Sequence, residues 1–167
     1  MSVASTVYGY HVQYLYTLYR MLESADSKEV FVPEGREDLD IYLNDQIIET
    51  VQVKCYSGTI VYSDLFSKGK STSLFSRGKD SLAENSNVKI SFVAVGHGND
   101  KGVISDRLTK VSSLVKSLKK EETLLLDYAS SKELAAKILW QSKSQVQLEN
   151  YVESVLKNRF PSIDPLI

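Results

Sequence analysis

The sequence is poor in the residues that build disulfide, zinc and membrane chemistry. Cys55 is its one cysteine, so no internal disulfide can form and a reducing compartment is expected. Two histidines and that cysteine are too few for an all-protein zinc site. Proline is scarce at 3 residues and glycine stands at 8, which excludes collagen-like and low-complexity chains. No apolar run approaches the roughly 20 residues that span a bilayer. The first residues, Met-Ser-Val-Ala-Ser-Thr-Val-Tyr-Gly-Tyr-His, lack the basic start and apolar stretch of a secretory signal. Disulfide-rich secreted, disordered and membrane-spanning classes are thereby set aside, and a cytoplasmic protein with no membrane partner is expected.

What is present is ordinary for a globular domain: 43% hydrophobic and 25% charged over 167 residues, enough for one domain with a real core. The net charge of −1 conceals an uneven distribution. Residues 1–53 carry 3 basic and 9 acidic side chains, residues 54–120 carry 12 and 5, and residues 121–167 carry 5 and 7. Such blocks suggest charges gathered for a purpose.

Hydrophobic periodicity predicts an α/β chain in the order α-β-β-β-α-β-α-α-α. Residues 3–24 read as a helix with an apolar stripe of Val7, Tyr10, Tyr14, Leu18 and Met21. Thr6, Gly9, Gln13, Thr17 and Arg20 share another face. Strands follow at Glu29–Glu34, Asp38–Leu43 and Ile47–Tyr56, the last two joined by an expected three-residue loop, Asn44-Asp45-Gln46. Pairing Leu43 with Ile47 sets Leu39 opposite Val51 and Asp38 opposite Gln52. Residues 57–87 are polar and Ser-rich, with helices expected near 63–67 and 72–85. Val88–Val95 reads as a buried strand. Helices are expected at Val103–Leu118, Ser131–Trp140 and Gln145–Phe160.

The hairpin carries the chemistry. Asp38, Asp40, Gln52 and Lys54 would converge on one of its faces. Carboxylate and amide oxygens are hard ligands that suit Mg²⁺. A lysine beside them can orient water and stabilise charge on a phosphoryl group. The bland alternative is a solvated sheet face with a surface ion pair worth under about 1 kcal/mol.

Gly9-Tyr10-x-x-Gln13, Glu34 with Glu37-Asp38, and Val51-Gln52-Val53-Lys54, in this order and spacing, resemble the PD-(D/E)XK nuclease superfamily. More narrowly they resemble the double-stranded DNA endonuclease domain of bacterial anti-phage proteins, such as the CD-NTase-associated endonucleases and related defence NTPases. The matching stretch is about residues 5–96. The resemblance implies a restriction-endonuclease-like α-β-β-β-α-β core, a central mixed sheet flanked by helices. Extra C-terminal helices would occupy about 103–160 of one domain spanning 1–167.

It further implies Asp38 as the metal-binding acid and Lys54 as the catalytic lysine. Gln52 would stand where the superfamily has Glu or Asp, with Glu34 or Asp40 making up the lost charge. The Val53 carbonyl would be a further ligand, and Gln13 would reach in from the first helix. Asp40 competes with Asp38, since a slip of two residues would put it opposite Gln52. The cofactor implied is Mg²⁺ or Mn²⁺.

The basic block, with Lys68, Lys70, Arg77 and Lys79, would contact the DNA backbone without reading sequence. Gly69-Lys70-Ser71 lacks the earlier glycine and the feeding strand of a phosphate-binding loop. His97, His11 and Cys55 read as structural, and the tyrosines of the first helix as packing.

The leading function is a metal-dependent endonuclease cutting double-stranded DNA with low specificity. Two copies would act together, under a sensor or NTPase module that is fused or separate. The alternative is a non-catalytic nucleic-acid-binding or assembly module on the same fold.

Overall fold

The computed structural model of the chain describes residues 3–60, 74–104 and 136–162. The expected helix near 63–67, Lys68 and Lys70 lie outside these residues.

Helix α1 runs Val3–Glu23. It buries Val12, Leu15, Tyr16 and Tyr19, spaced at three, four and seven residues, while Val7, Tyr10, Tyr14 and Met21 are exposed. The expected apolar stripe is therefore largely the outward one. The helix carries large apolar side chains on both sides, so periodicity alone could not choose between them.

The strands β1 (Glu29–Pro33), β2 (Leu39–Leu43) and β3 (Gln46–Tyr56) form an antiparallel meander. The β2–β3 turn has two residues, not three: Asn44 and Asp45 sit at φ 50° and 61°, and Leu43 faces Gln46. Two consecutive positive φ values are the primed turn that matches strand twist, and Asn and Asp tolerate them best after glycine. The pairing then shifts between Ile41 and Tyr42, where Ile48 is the extra residue of a bulge. The shorter turn and the bulge cancel, so Leu39 pairs with Val51 as expected.

A short β4 (Thr59–Ile60) follows, then helix α2 (Leu74–Glu84). Asn85 ends α2 and donates its side-chain amide to the Ile47 carbonyl at 2.8 Å, fixing the helix to β3. Strand β5 (Lys89–Gly96) is buried after its first residue, as a strand with parallel neighbours on both sides must be.

Two expectations fail here. Val103–Ile104, read as the start of a helix, is β6, parallel to β4. Residues from Ile138, read as helix, form β7 (Ile138–Ser144), parallel to β5 with Trp140 5.6 Å from Phe92. The rest of both expected helices lies largely outside the described residues. Helix α3 (Gln145–Arg159) starts where expected, because Ser144 and Gln147 make a reciprocal capping box.

The main sheet has the order β1-β2-β3-β5-β7 and is mixed. Helices α1 and α3 share one of its faces. Val12, Tyr16, Leu148 and Val152 pack there on Leu39, Ile41, Val51, Val53, Val93 and Val95. Each such buried aliphatic or aromatic side chain contributes about 1.5–3 kcal/mol. This is a restriction-endonuclease-like α/β core, as the resemblance implies.

Candidate active site

β2 pairs with β3 only as far as Leu39 and Val51, and the chain before Leu39 bends away. The far end of β3 is thus left open on that side. A cavity of about 830 Å³ occupies the gap. Gln13, Glu34, Asp38, Val53 and Lys54 line it, together with Tyr8, Tyr10, Tyr56 and His97.

Asp38 is held by its own backbone context. Its Oδ2 accepts the Val53 N–H at 2.7 Å, and its carbonyl accepts the Glu34 N–H at 3.1 Å. In an extended strand the N–H and C=O of one residue point to the same edge. The Val53 carbonyl therefore faces the gap beside Asp38. Glu34 adopts φ 54°, a left-handed conformation that costs a side-chain-bearing residue energy and is enriched at functional sites.

Gln13 comes from α1. Its Oε1 is buried and has no hydrogen-bond partner among the described residues. An amide oxygen left so costs about 1–3 kcal/mol unless something fills the space in front of it. The donor set around the gap is two carboxylates, an amide oxygen and a backbone carbonyl, all hard oxygens suited to Mg²⁺ or Mn²⁺. Among the described residues, Lys54 makes no ion pair that would neutralise it.

The other expected site residues lie elsewhere. Asp40 is fully buried and does not line the cavity. Its Oδ2 accepts the Arg36 N–H at 2.6 Å, so residues 34–38 wrap around its carboxylate. Burial pushes that carboxyl up, against the pull of the Arg36 and Glu37 N–H groups. Gly35 is required there, since a Cβ would collide with the Asp40 carboxylate. Gln52 points with Lys54 by alternation, but it is nearly buried and outside the cavity lining. Its Oε1 accepts from Arg77 Nη2 at 3.1 Å. Arg77 is turned inward, with Nε and Nη2 on the Glu37 carboxylate at 2.5 and 2.8 Å. Burial works to lower the Arg77 guanidinium, and the Glu37 contacts outweigh it and raise it. Lys79 lies on α2.

By sequence Tyr8 reads as packing and His97 as a structural loop residue, and both are on the cavity wall. The Tyr8 ring lies 4.9 Å from His97, and its hydroxyl donates to Gln145 Oε1. Burial, with Cys55 next, pushes the Tyr8 hydroxyl up to about 12. The available signal was the Gly96-His97-Gly98 loop at the carboxyl end of a parallel strand, where α/β sheets form crevices.

A family model described as Cap4, dsDNA endonuclease domain, matches residues 4–160 of the chain. No curated protein and no solved structure matches it.

Proposed function

The chain belongs to the Cap4 dsDNA endonuclease domain family, a DNA endonuclease domain of the anti-phage-defence kind, and from that premise we propose that the cavity beside β3 is its metal-dependent cutting site. The observation that supports this most is the meeting of Asp38, Glu34, Gln13 and Lys54 in one cavity, from three separate parts of the chain. The Gln13 oxygen, without a partner among the described residues, supports a cation at this place.

Asp38 would hold the cation with the oxygen not taken by Val53. Glu34, the Gln13 amide oxygen and the Val53 carbonyl would complete the protein ligands. A divalent cation there, Mg²⁺ or Mn²⁺, supplies Lewis-acid polarisation of the scissile phosphate and lowers the pKa of water. Lys54 orients the attacking water by hydrogen bonding and places a positive charge where negative charge builds on the phosphoryl oxygens. The Val53 N–H keeps the Asp38 carboxylate in one orientation, so the site is set before substrate arrives.

Lys68, Lys70 and Lys79 would hold phosphates of the duplex without reading bases, giving low sequence specificity. One cavity cuts one strand. Cleavage of both strands therefore calls for two copies, with a sensor or NTPase module controlling them.

Supercoiled plasmid incubated with the protein and Mg²⁺ should convert to nicked and linear forms, and EDTA should abolish conversion. Duplex binding with no cutting under any divalent cation would instead make the chain a binding module.

A further inference from the structure

Two segments carry the proposed site, and among the described residues two side-chain ties join them beyond the last ladder pair. Residues 34–38 supply Glu34 and Asp38; β3 supplies Val53 and Lys54. The ladder between β2 and β3 stops at Leu39 and Val51. Past it, the Asp38 carboxylate on the Val53 N–H is one tie. Arg77, from α2, is a second. Its guanidinium contacts Glu37, the residue directly before Asp38, and Gln52, two residues before Lys54. Glu37 and Gln52 are 7% and 8% exposed, so this three-way contact is sheltered from water.

We propose that Arg77 is a positioning residue that clasps the Asp38 segment to the Lys54 strand through Glu37 and Gln52, and that Gln52 is a strut of this clasp instead of a cation ligand. The proposal rests on the cutting site described above. The guanidinium is planar and rigid, so it can fix two acceptors from different segments at once. Its charge also argues against a cation at Gln52: the amide oxygen already faces one positive group at 3.1 Å, and a second would be repelled. A neutral Gln at this position is then favourable, because Glu37 already supplies the carboxylate that pairs Arg77. Gln52 adds an acceptor without a second buried negative charge.

The test compares wild type, Gln52→Met, Arg77→Lys, their double variant and Gln52→Glu in the full chain. Arg77→Lys keeps a positive charge opposite buried Glu37, so that carboxylate stays paired while the fork is lost. Each of Gln52→Met and Arg77→Lys should lower kcat for duplex cleavage about 10–100-fold, with KM for the duplex within about threefold, the signature of misplaced reacting groups. The double variant should be no slower than the slower single variant by more than about threefold, since both break one clasp.

Gln52→Glu keeps an oxygen for Arg77. Compared at matched folded fraction, because a second buried carboxylate costs stability, it should cut within about threefold of wild type, and Mn²⁺ titrated in without DNA should bind it within about twofold of wild type. Mn²⁺ binding tightened about tenfold or more in Gln52→Glu would make position 52 a ligand and overturn the proposal. So would wild-type kcat in Arg77→Lys, or a loss confined to KM. If wild type itself cuts nothing, the endonuclease reading fails, and the Mn²⁺ titration of Gln52→Glu still decides the role of Gln52.

Discussion

The two ends of β3 both carry charged residues, and they treat them in opposite ways. At the Glu49 end, the buried carboxylate is answered. Arg20 of α1 donates to Glu49 Oε1 and Oε2 at 3.2 and 2.9 Å, and Ser91 of β5 donates to Oε1 at 2.6 Å. At the Lys54 end the strand runs into an open cavity. There, among the described residues, a glutamine oxygen lacks a partner, a glutamate is held at positive φ, and a lysine lines the same cavity as two carboxylate-bearing residues. The first end is a closed joint that fastens α1 to the sheet. The second has the open valences that binding chemistry needs. Charge alone does not mark a site; unanswered polar groups around a space do.

The contrast is broken most strongly at the open end. Asp38→Asn should reduce duplex cleavage about 10³-fold, because one transition-state or cation contact is worth that order. The amide oxygen can still accept the Val53 N–H, so stability should change by less than about 1 kcal/mol. Chemical denaturation and a cleavage assay on the same sample check both halves.

Arg20→Met acts at the closed end and should do the reverse. Leaving Glu49 buried and unpaired should cost about 3–5 kcal/mol of stability, seen as a lower denaturant midpoint, with cleavage per folded molecule unchanged.

A smaller effect separates two carboxylates by pH. Burial alone would lift the Glu49 carboxyl, but Arg20 and Ser91 outweigh it and hold it below its ordinary value. Its contribution is therefore full above the unfolded carboxyl value and lost as pH falls through the folded one. Asp40 is shifted up by burial, so it has the opposite sign: folding favours its protonated form, and stability falls as pH rises through its folded value. Denaturation midpoints from pH 3 to 7 should show a shallower acid decline for Glu49→Gln than for wild type. Asp40→Asn should flatten the opposing trend.

The smallest effect is expected outside both regions. Tyr14→Ser on the exposed side of α1 should move stability by no more than about 0.5 kcal/mol, by the same denaturation measurement.

The residues that line the candidate site were more legible in the sequence than the sheet that holds them. Gln52 and Lys54 alternate with Val51 and Val53, so the strand declared its two faces. The Leu39–Val51 register was found through two departures that cancel: the turn is one residue shorter than expected, and Ile48 bulges. Spacing could not separate Asp38 from Asp40, because both lie on one face by alternation. What separates them is the bend at residues 34–38 and its wrap around the Asp40 carboxylate, a product of tertiary packing.

β7 was read as helix because the apolar residues before and within it fit helical spacing as well as strand spacing. Its place beside β5 is set by a neighbour far away in the chain. The Arg77–Glu37 contact joins residues 40 positions apart and left no local signal. Arg77 looked like one more phosphate-facing base among the lysines. The inward stripe of α1 was hidden for a simpler reason, since Tyr and Val occupy both sides of that helix.

The charge blocks also take on a spatial meaning. Glu34 and Asp38 from the acidic first third meet Lys54, the first residue of the basic block, within one cavity. The most direct test of that meeting is single-turnover cleavage of a duplex by Lys54→Ala beside wild type, with Mg²⁺ and at matched folded fraction. The site described here predicts a loss of about 10³-fold or more with duplex binding within about threefold. Cutting by Lys54→Ala at the wild-type rate would contradict it.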